Sequence, residues 1–334
     1  MRLLASAISR GVASGCRATG RGAFALRPCG ARLLGMDFHK ASSTSHSIFQ
    51  LHSTDSAFLP RPSRSHLHTV AMASKYTNKL QGKRVLVLGG TSGIGFCVAE
   101  AAVEYGAIVT VSSSRQASID KAIKRITDAY PDSASRINGK TCDLGGDDLE
   151  EQIKGLYEFA TNGGANKLDH VVNTAGDKFS LPKITEFTVE AANKLSQVRF
   201  MGTLFLAKYA ATYMNSSADS SFTTTSGVNG AKPADGWAAI AGYITAQEGL
   251  IRGLAKDIKP IRANNVSPGA VHTELFNHFG NEEEVKAIVE MYAGKTLTGR
   301  IGKPEDLAET YIYIMKNPFV TGTIHQVDGG YLLV

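Results

Sequence analysis

The sequence is short of cysteine, lacks any long apolar run, and has no acidic residue before Asp37. Its 334 residues include four cysteines, Cys16, Cys29, Cys97 and Cys142. These form no CxxC pair and no cluster with histidine, so neither a disulfide framework nor a structural zinc site is expected. Cys97 and Cys142 read instead as buried packing residues, and a reducing compartment fits. No uninterrupted apolar stretch approaches the roughly 18 residues that a membrane-spanning helix needs, which argues against an integral membrane protein. The formal charge of +6 hints at a polyanionic partner until it is located along the chain. Residues 1–71 carry nine Lys and Arg against Asp37 and Asp55 alone, while the remainder has 27 basic and 28 acidic residues. The remainder therefore has no net attraction for phosphate backbones, and nucleic acid is not an expected partner.

What is present divides the chain in two. Six arginines precede Asp37, spaced among Ala, Leu, Gly and Ser. Arg-rich, Ser-containing and acid-poor is the composition of a mitochondrial transit peptide, which would direct the protein to the matrix. Residues 41–69 continue with Ser, Thr, His and Pro and no periodicity, as a linker does. A second reading stays open: "MASKYTNKLQGKRVLV" from Met72 looks like a natural start, making 1–71 an upstream extension and the protein cytoplasmic. Residues 72–334 read as one domain, without internal repeats.

Within that domain short β-branched runs alternate with longer stretches whose apolar residues recur every three to four positions, the pattern of a doubly wound parallel sheet. Strands are expected at Arg84–Leu88, Ile108–Ser112, Ile137–Thr141, His170–Asn173, Ser221–Thr225, Arg262–Ser267 and Ile324–Val327. The fold class is thus α/β, a single doubly wound Rossmann domain whose seven-stranded, mainly parallel sheet is flanked by helices. Ala191–Met214 and Trp237–Lys256 read as long helices. The first strand runs directly into "GGTSGIG", which holds Gly89, Thr91, Ser92, Gly93, Ile94 and Gly95. Glycines permit a tight turn and close approach of backbone to a pyrophosphate, and the following helix offers its N-terminal N–H groups and dipole to the phosphates. Placed between a strand and a helix, this fingerprint points to a dinucleotide.

The second strand ends "VSSSRQ", with no acid before Asp120. A carboxylate there would bond a ribose 2′-hydroxyl and repel a 2′-phosphate. Ser113, Ser114 and Arg115 instead suit a 2′-phosphate, so NADP(H) is the expected cofactor.

Further segments follow in a telling order: "CDL" with Asp143, "NTAG" with Asn173, Ala175 and Gly176, "TTSG" with Ser226, "SPGAVHT" with Pro268, Gly269, Val271 and Thr273, then "GRIGKPEDLAE" and "VTGTIHQVDGG". Over about 76–334 the chain resembles the short-chain dehydrogenase/reductases. The resemblance implies that Asp143 contacts adenine and that NTAG lies beneath the nicotinamide. It also implies that Ser226 polarises a carbonyl and that the SPGAVHT loop grips the carboxamide. A homodimer or homotetramer built through the two long helices is implied as well.

The proton-transfer machinery departs from the family pattern. That pattern needs a tyrosine with a lysine four residues on, because a free phenol titrates near 10 and exchanges protons poorly at neutral pH without a nearby cation. Aligned without gaps from "EGLIRGLAKDI", the two positions fall on Ile240 and Ile244; counted from Tyr243, the lysine position is Gln247. Arg199 occupies the family's asparagine position. Three readings follow. Tyr243 lies one turn deeper on the same helix face and Arg199 supplies the missing charge or binds ribose; hydride transfer proceeds with Ser226 and water; or chemistry is lost, leaving an NADP(H)-binding redox sensor or assembly subunit. The combination "GGTSGIG", "VRF", "ADGWAAIAGY" and "IKPIRANNVSPGAVHTELF" resembles a fungal subgroup associated with natural-product pathways. That favours an NADP(H)-dependent oxidoreductase acting on a small, hydrophobic carbonyl or alcohol. Lys178, Trp237 and His272 are candidate substrate-side residues, and the segment after Thr273 is expected to cover the substrate as a lid. No metal is expected.

Overall fold

In the computed structural model the described residues are 75–176, 182–274, 276 and 280–334. The leader and Lys178 lie outside them. Seven strands form one sheet: β1 (Arg84–Leu88), β2 (Ile108–Ser113), β3 (Ile137–Thr141), β4 (His170–Asn173), β5 (Ser221–Thr225), β6 (Arg262–Pro268) and β7 (Ile324–Val327). Their order is β3-β2-β1-β4-β5-β6-β7, and every pairing is parallel, so the sheet is wholly rather than mainly parallel. Seven strands sit where the apolar runs placed them; β2 and β6 each extend one residue further.

Parallel strands buried on both faces read as near-continuous apolar runs because helices cover each side. In β1, Val85 and Val87 join one core, and Leu86 and Leu88 the other. On the first face pack α1 (Gly93–Glu104), α2 (Gln116–Ala129) and α8 (Pro304–Lys316), bringing Phe96, Val98, Ile126, Tyr311 and Ile312. On the second lie α3 (Leu149–Thr161), α5 (Gly202–Tyr213) and α6 (Ala238–Asp257), with Ile153, Leu156, Leu206, Ile251 and Leu254. α2 shows the principle in sequence: Ile119, Ala122 and Ile126 are its buried residues, one stripe of an otherwise polar helix. Chain order reverses at β1 and β4, which leaves the crevice at their C-terminal ends uncovered by a crossover, the place where sheets of this kind bind ligands.

The long helix expected over Ala191–Met214 is interrupted. α4 (Val189–Ser196) passes through a π-helical turn, Gln197–Met201, before α5 begins. Such turns insert an extra residue and recur at functional positions. Here Thr203 Oγ1 donates to Arg199 O at 2.7 Å. After β6 the expected lid segment contains α7 (Glu282–Ala293), which starts with a reciprocal capping box between Asn281 and Glu284.

Candidate active site

The glycine turn and the NTAG turn are interlocked at the head of β1 and β4. Gly89 has φ +71°, a conformation that side chains other than glycine's rarely adopt. A Cβ on Gly95 would lie 2.3 Å from Gly89 O and from Thr174 Oγ1, so α1 can pack this closely only without one. Thr174 Oγ1 donates to Leu88 O at 2.8 Å, and Ala175 N to Asn173 Oδ1 at 3.1 Å. Thr91 and Ile94 are half-buried and Ser92 is exposed as the α1 N-cap, with no side-chain cap bond. Backbone close approach and first-turn N–H groups are what a pyrophosphate needs, so these residues fit a dinucleotide. Gly93 N donates to Glu274 Oε2 at 2.9 Å, a contact the motif alone does not announce.

At the second strand Ser113 closes β2, Ser114 is exposed, and Arg115 is the exposed N-cap of α2. Asp120 sits within α2 and accepts from Gln116 Nε2, so it does not supply the acid missing from the strand end. Asp143, exposed beyond β3, accepts from Gly145 N at 2.9 Å in a local turn. Pro268 ends β6; Gly269 packs where a Cβ would meet Asp328 Cα at 2.8 Å; and Val271 is buried. The Thr273 side chain lies 3.1 Å from the Cβ that Gly93 lacks. All the cofactor residues expected from the sequence therefore stand along the C-terminal edge of the sheet.

Three proton-handling candidates meet in one small cavity. Ser226, Tyr243 and Arg199 line it together with Leu195, Ile240, Ile244 and Gln247; its volume is about 10 Å³, room for no more than a water. Arg199 belongs to the π turn, and its guanidinium lies over Gly176, within 2.4–2.9 Å of where a Cβ would be. Behind it, Thr203 Oγ1 accepts from Asn173 Nδ2 (3.2 Å) and Gln247 Nε2 (3.3 Å) while donating to Arg199 O. NTAG, the π turn and α6 are thus tied at one hydroxyl. Gln247 is 3% exposed and stands where, counted from Tyr243, the family's lysine would be; Thr203 belongs to no motif.

Tyr243 donates its phenol to Ala192 O on α4 at 3.0 Å. Ser226 Oγ lies 2.6 Å from Asn265 Oδ1 and 3.2 Å from Glu248 Oε1. One hydroxyl proton cannot serve both, and the shorter contact takes it. Asn265 Nδ2 is held by Thr224 Oγ1, which fixes the amide's orientation. Neither Asn265 nor Glu248 stood out in the sequence. Ile240 and Ile244, at the two family positions, are 2% and 8% exposed and pack with Leu195 and Trp237. Next to Ser226, a Cβ on Gly227 would lie 3.8 Å from both Ile244 Cδ1 and Pro268 O, so α6 and the SPGAVHT loop flank this position at ordinary contact distance. His272 is exposed, with its ring 5.9 Å from that of Phe276. Burial pushes the thiols of Cys97 and Cys142 up to about 12, which leaves them as inert packing. A larger open groove of about 460 Å³, between α8 and β7, includes none of these residues.

Comparison with known proteins agrees with the geometry. A family model described as an SDR-like Rossmann domain matches residues 76–334. The short-chain dehydrogenase/reductase ucsE of Acremonium sp is 44% identical over 264 residues, covering 78% of this chain and all of its own. The structure of the MalC reductase/Diels-Alderase from Malbranchea aurantiaca superposes with a TM-score of 0.73 at 37% identity, over 78% of this chain and 100% of that one. A small-chain dehydrogenase in complex with NADPH gives 0.62 at 27% identity, over 76% and 100%.

Proposed function

The chain belongs to the short-chain dehydrogenase/reductase family of oxidoreductases, and from that premise we propose that it transfers hydride between NADP(H) and a carbonyl or alcohol of a small, hydrophobic, secondary-metabolite-like substrate. The observation that carries the reading is the junction of the glycine turn with NTAG, beside a β2 end that bears Arg115 and no acid. When bound, the nicotinamide gives or takes the hydride. The protein's own part is to hold that ring over NTAG, to exclude water, and to manage charge and a proton at the substrate oxygen. Arg199 supplies the cation that the family's lysine would have supplied, and stabilises developing negative charge on oxygen. Tyr243 and Ser226 are the hydroxyls that exchange the proton. Leu195, Ile240 and Ile244 give the small cavity apolar walls; at about 10 Å³ it must widen before a hydrophobic substrate meets Tyr243 and Ser226. The MalC structure, described as reductase and Diels-Alderase, and the NADPH complex support the class of substrate and the cofactor respectively.

Calorimetric titration with NADPH and with NADH tests this reading. NADPH should bind at least about tenfold more tightly, or roughly 1.4 kcal/mol, and Arg115→Ala should erase most of the difference. Equal affinities in the unaltered protein would overturn the NADP(H) assignment.

A further inference from the structure

Glu274 is the residue directly after the SPGAVHT loop, and its carboxylate is seated on the glycine turn. Gly93, the first residue of α1, donates its N–H to Glu274 Oε2 at 2.9 Å. Thr273 brings the loop there, since its Cβ lies 3.2 Å from the Cβ that Gly93 lacks. α1 has no acidic residue in its first turn and no side-chain cap from Ser92. A helix N-terminus attracts anions through its unpaired N–H groups and its dipole. In a glycine-rich strand-to-helix turn, that anion is the dinucleotide's pyrophosphate. A fixed carboxylate and a pyrophosphate repel each other at this range, so the two cannot share Gly93.

We propose that Glu274 is an internal stand-in for the pyrophosphate, completing α1 before the nucleotide arrives and yielding its place on binding. The inference rests on the nucleotide-binding reading above. It makes Glu274 a residue that sets cofactor affinity without being a cofactor ligand, and it couples entry of the nucleotide to displacement of the Glu274 side chain. The consequence is a pair of effects with opposite signs. Removing the carboxylate takes a favourable anion from α1 and lowers the stability of the nucleotide-free protein. The same change removes a competitor and tightens binding.

The test compares the unaltered chain with Glu274→Gln and Glu274→Ala. Each is melted without nucleotide and titrated with NADPH and with inorganic pyrophosphate alone at low and high salt. Both variants should melt a few degrees lower, about 1–4 °C for a charge–dipole contact in a domain of this size. Both should bind NADPH and pyrophosphate about three- to tenfold more tightly, and the gain should shrink as salt screens the repulsion. Weaker NADPH binding by the variants would make Glu274 a nucleotide ligand and overturn the proposal. Unchanged melting and unchanged affinity would overturn it too. If no form of the protein, the unaltered chain included, binds NADPH or pyrophosphate, the nucleotide reading fails and this inference with it.

Discussion

At the scale of residues, the site shows how one family position can change its chemistry while the scaffold stays. Ile240 and Ile244 turn the expected acid/base pair into apolar wall, and Tyr243 sits on the same face of α6, with its phenol on Ala192 O. To give a proton to a substrate, the phenol must leave that carbonyl for the cavity it shares with Arg199 and Ser226. Tyr243→Phe is expected to lower kcat for carbonyl reduction by about 10²-fold or more, with NADPH affinity changed less than about twofold. Ser226→Ala serves as the comparison. Full turnover by Tyr243→Phe together with loss in Ser226→Ala would leave Tyr243 a helix-packing residue and give the proton to Ser226. Gly176 belongs to the same account, because the Arg199 guanidinium occupies the space any side chain there would fill.

At the scale of elements, Arg199 lies within the π turn at Gln197–Met201, and Thr203 fastens that turn through the Arg199 carbonyl. Its hydroxyl is 0% exposed at the residue level and joins the NTAG strand, the π turn and α6 through Asn173, Arg199 and Gln247. Thr203→Val keeps the shape and removes the hub. Two buried amide donors then lose their acceptor, which should destabilise the protein by about 1–3 kcal/mol. Because this hydroxyl also holds the backbone carbonyl of Arg199, kcat should fall while KM for NADPH stays within about threefold. A variant that loses stability but keeps full kcat would show that the π turn holds its shape without Thr203.

At the scale of the whole molecule, the opposite edge of the sheet answers for pH sensitivity. His170 begins β4 in the core, its Nδ1 2.9 Å from Ser221 Oγ, with Asp169, Lys83 and Arg262 as charged neighbours. Burial pushes its pKa down from 6.5 to about 3, against the pull of Asp169 and with the help of Arg262 and Lys83. The folded protein therefore keeps His170 neutral where the unfolded chain protonates it, so below pH 6.5 the unfolded state binds more protons. Stability is full above pH 6.5 and falls as pH drops toward 3, by up to about 1.4 kcal/mol per pH unit from this one group. Denaturant unfolding at pH 7.5, 6.5, 5.5 and 4.5 reads this directly. A flat profile down to pH 4.5 would mean that water or a proton partner reaches the ring.

Much of this protein was legible from sequence because its information is local. A parallel strand covered on both faces is an apolar run, an amphipathic helix is a stripe, and a phosphate turn is a set of glycines at fixed spacing; each follows from its own few residues. Hence the seven strands, the single Rossmann domain and the nucleotide edge could be read from order and spacing. The break in the helix over 191–214 was hidden, since a π turn adds one residue without changing composition. What only the tertiary structure decided are the meetings across the chain: Glu274 on Gly93, Asn265 and Glu248 at Ser226, Thr203 between Asn173 and Gln247, and Arg199 over Gly176. The physical reason is that hydrogen bonds and charge contacts depend on separations of about 3 Å. Residues 22 to 181 positions apart reach that range only when the sheet and the helices packed on it bring them together.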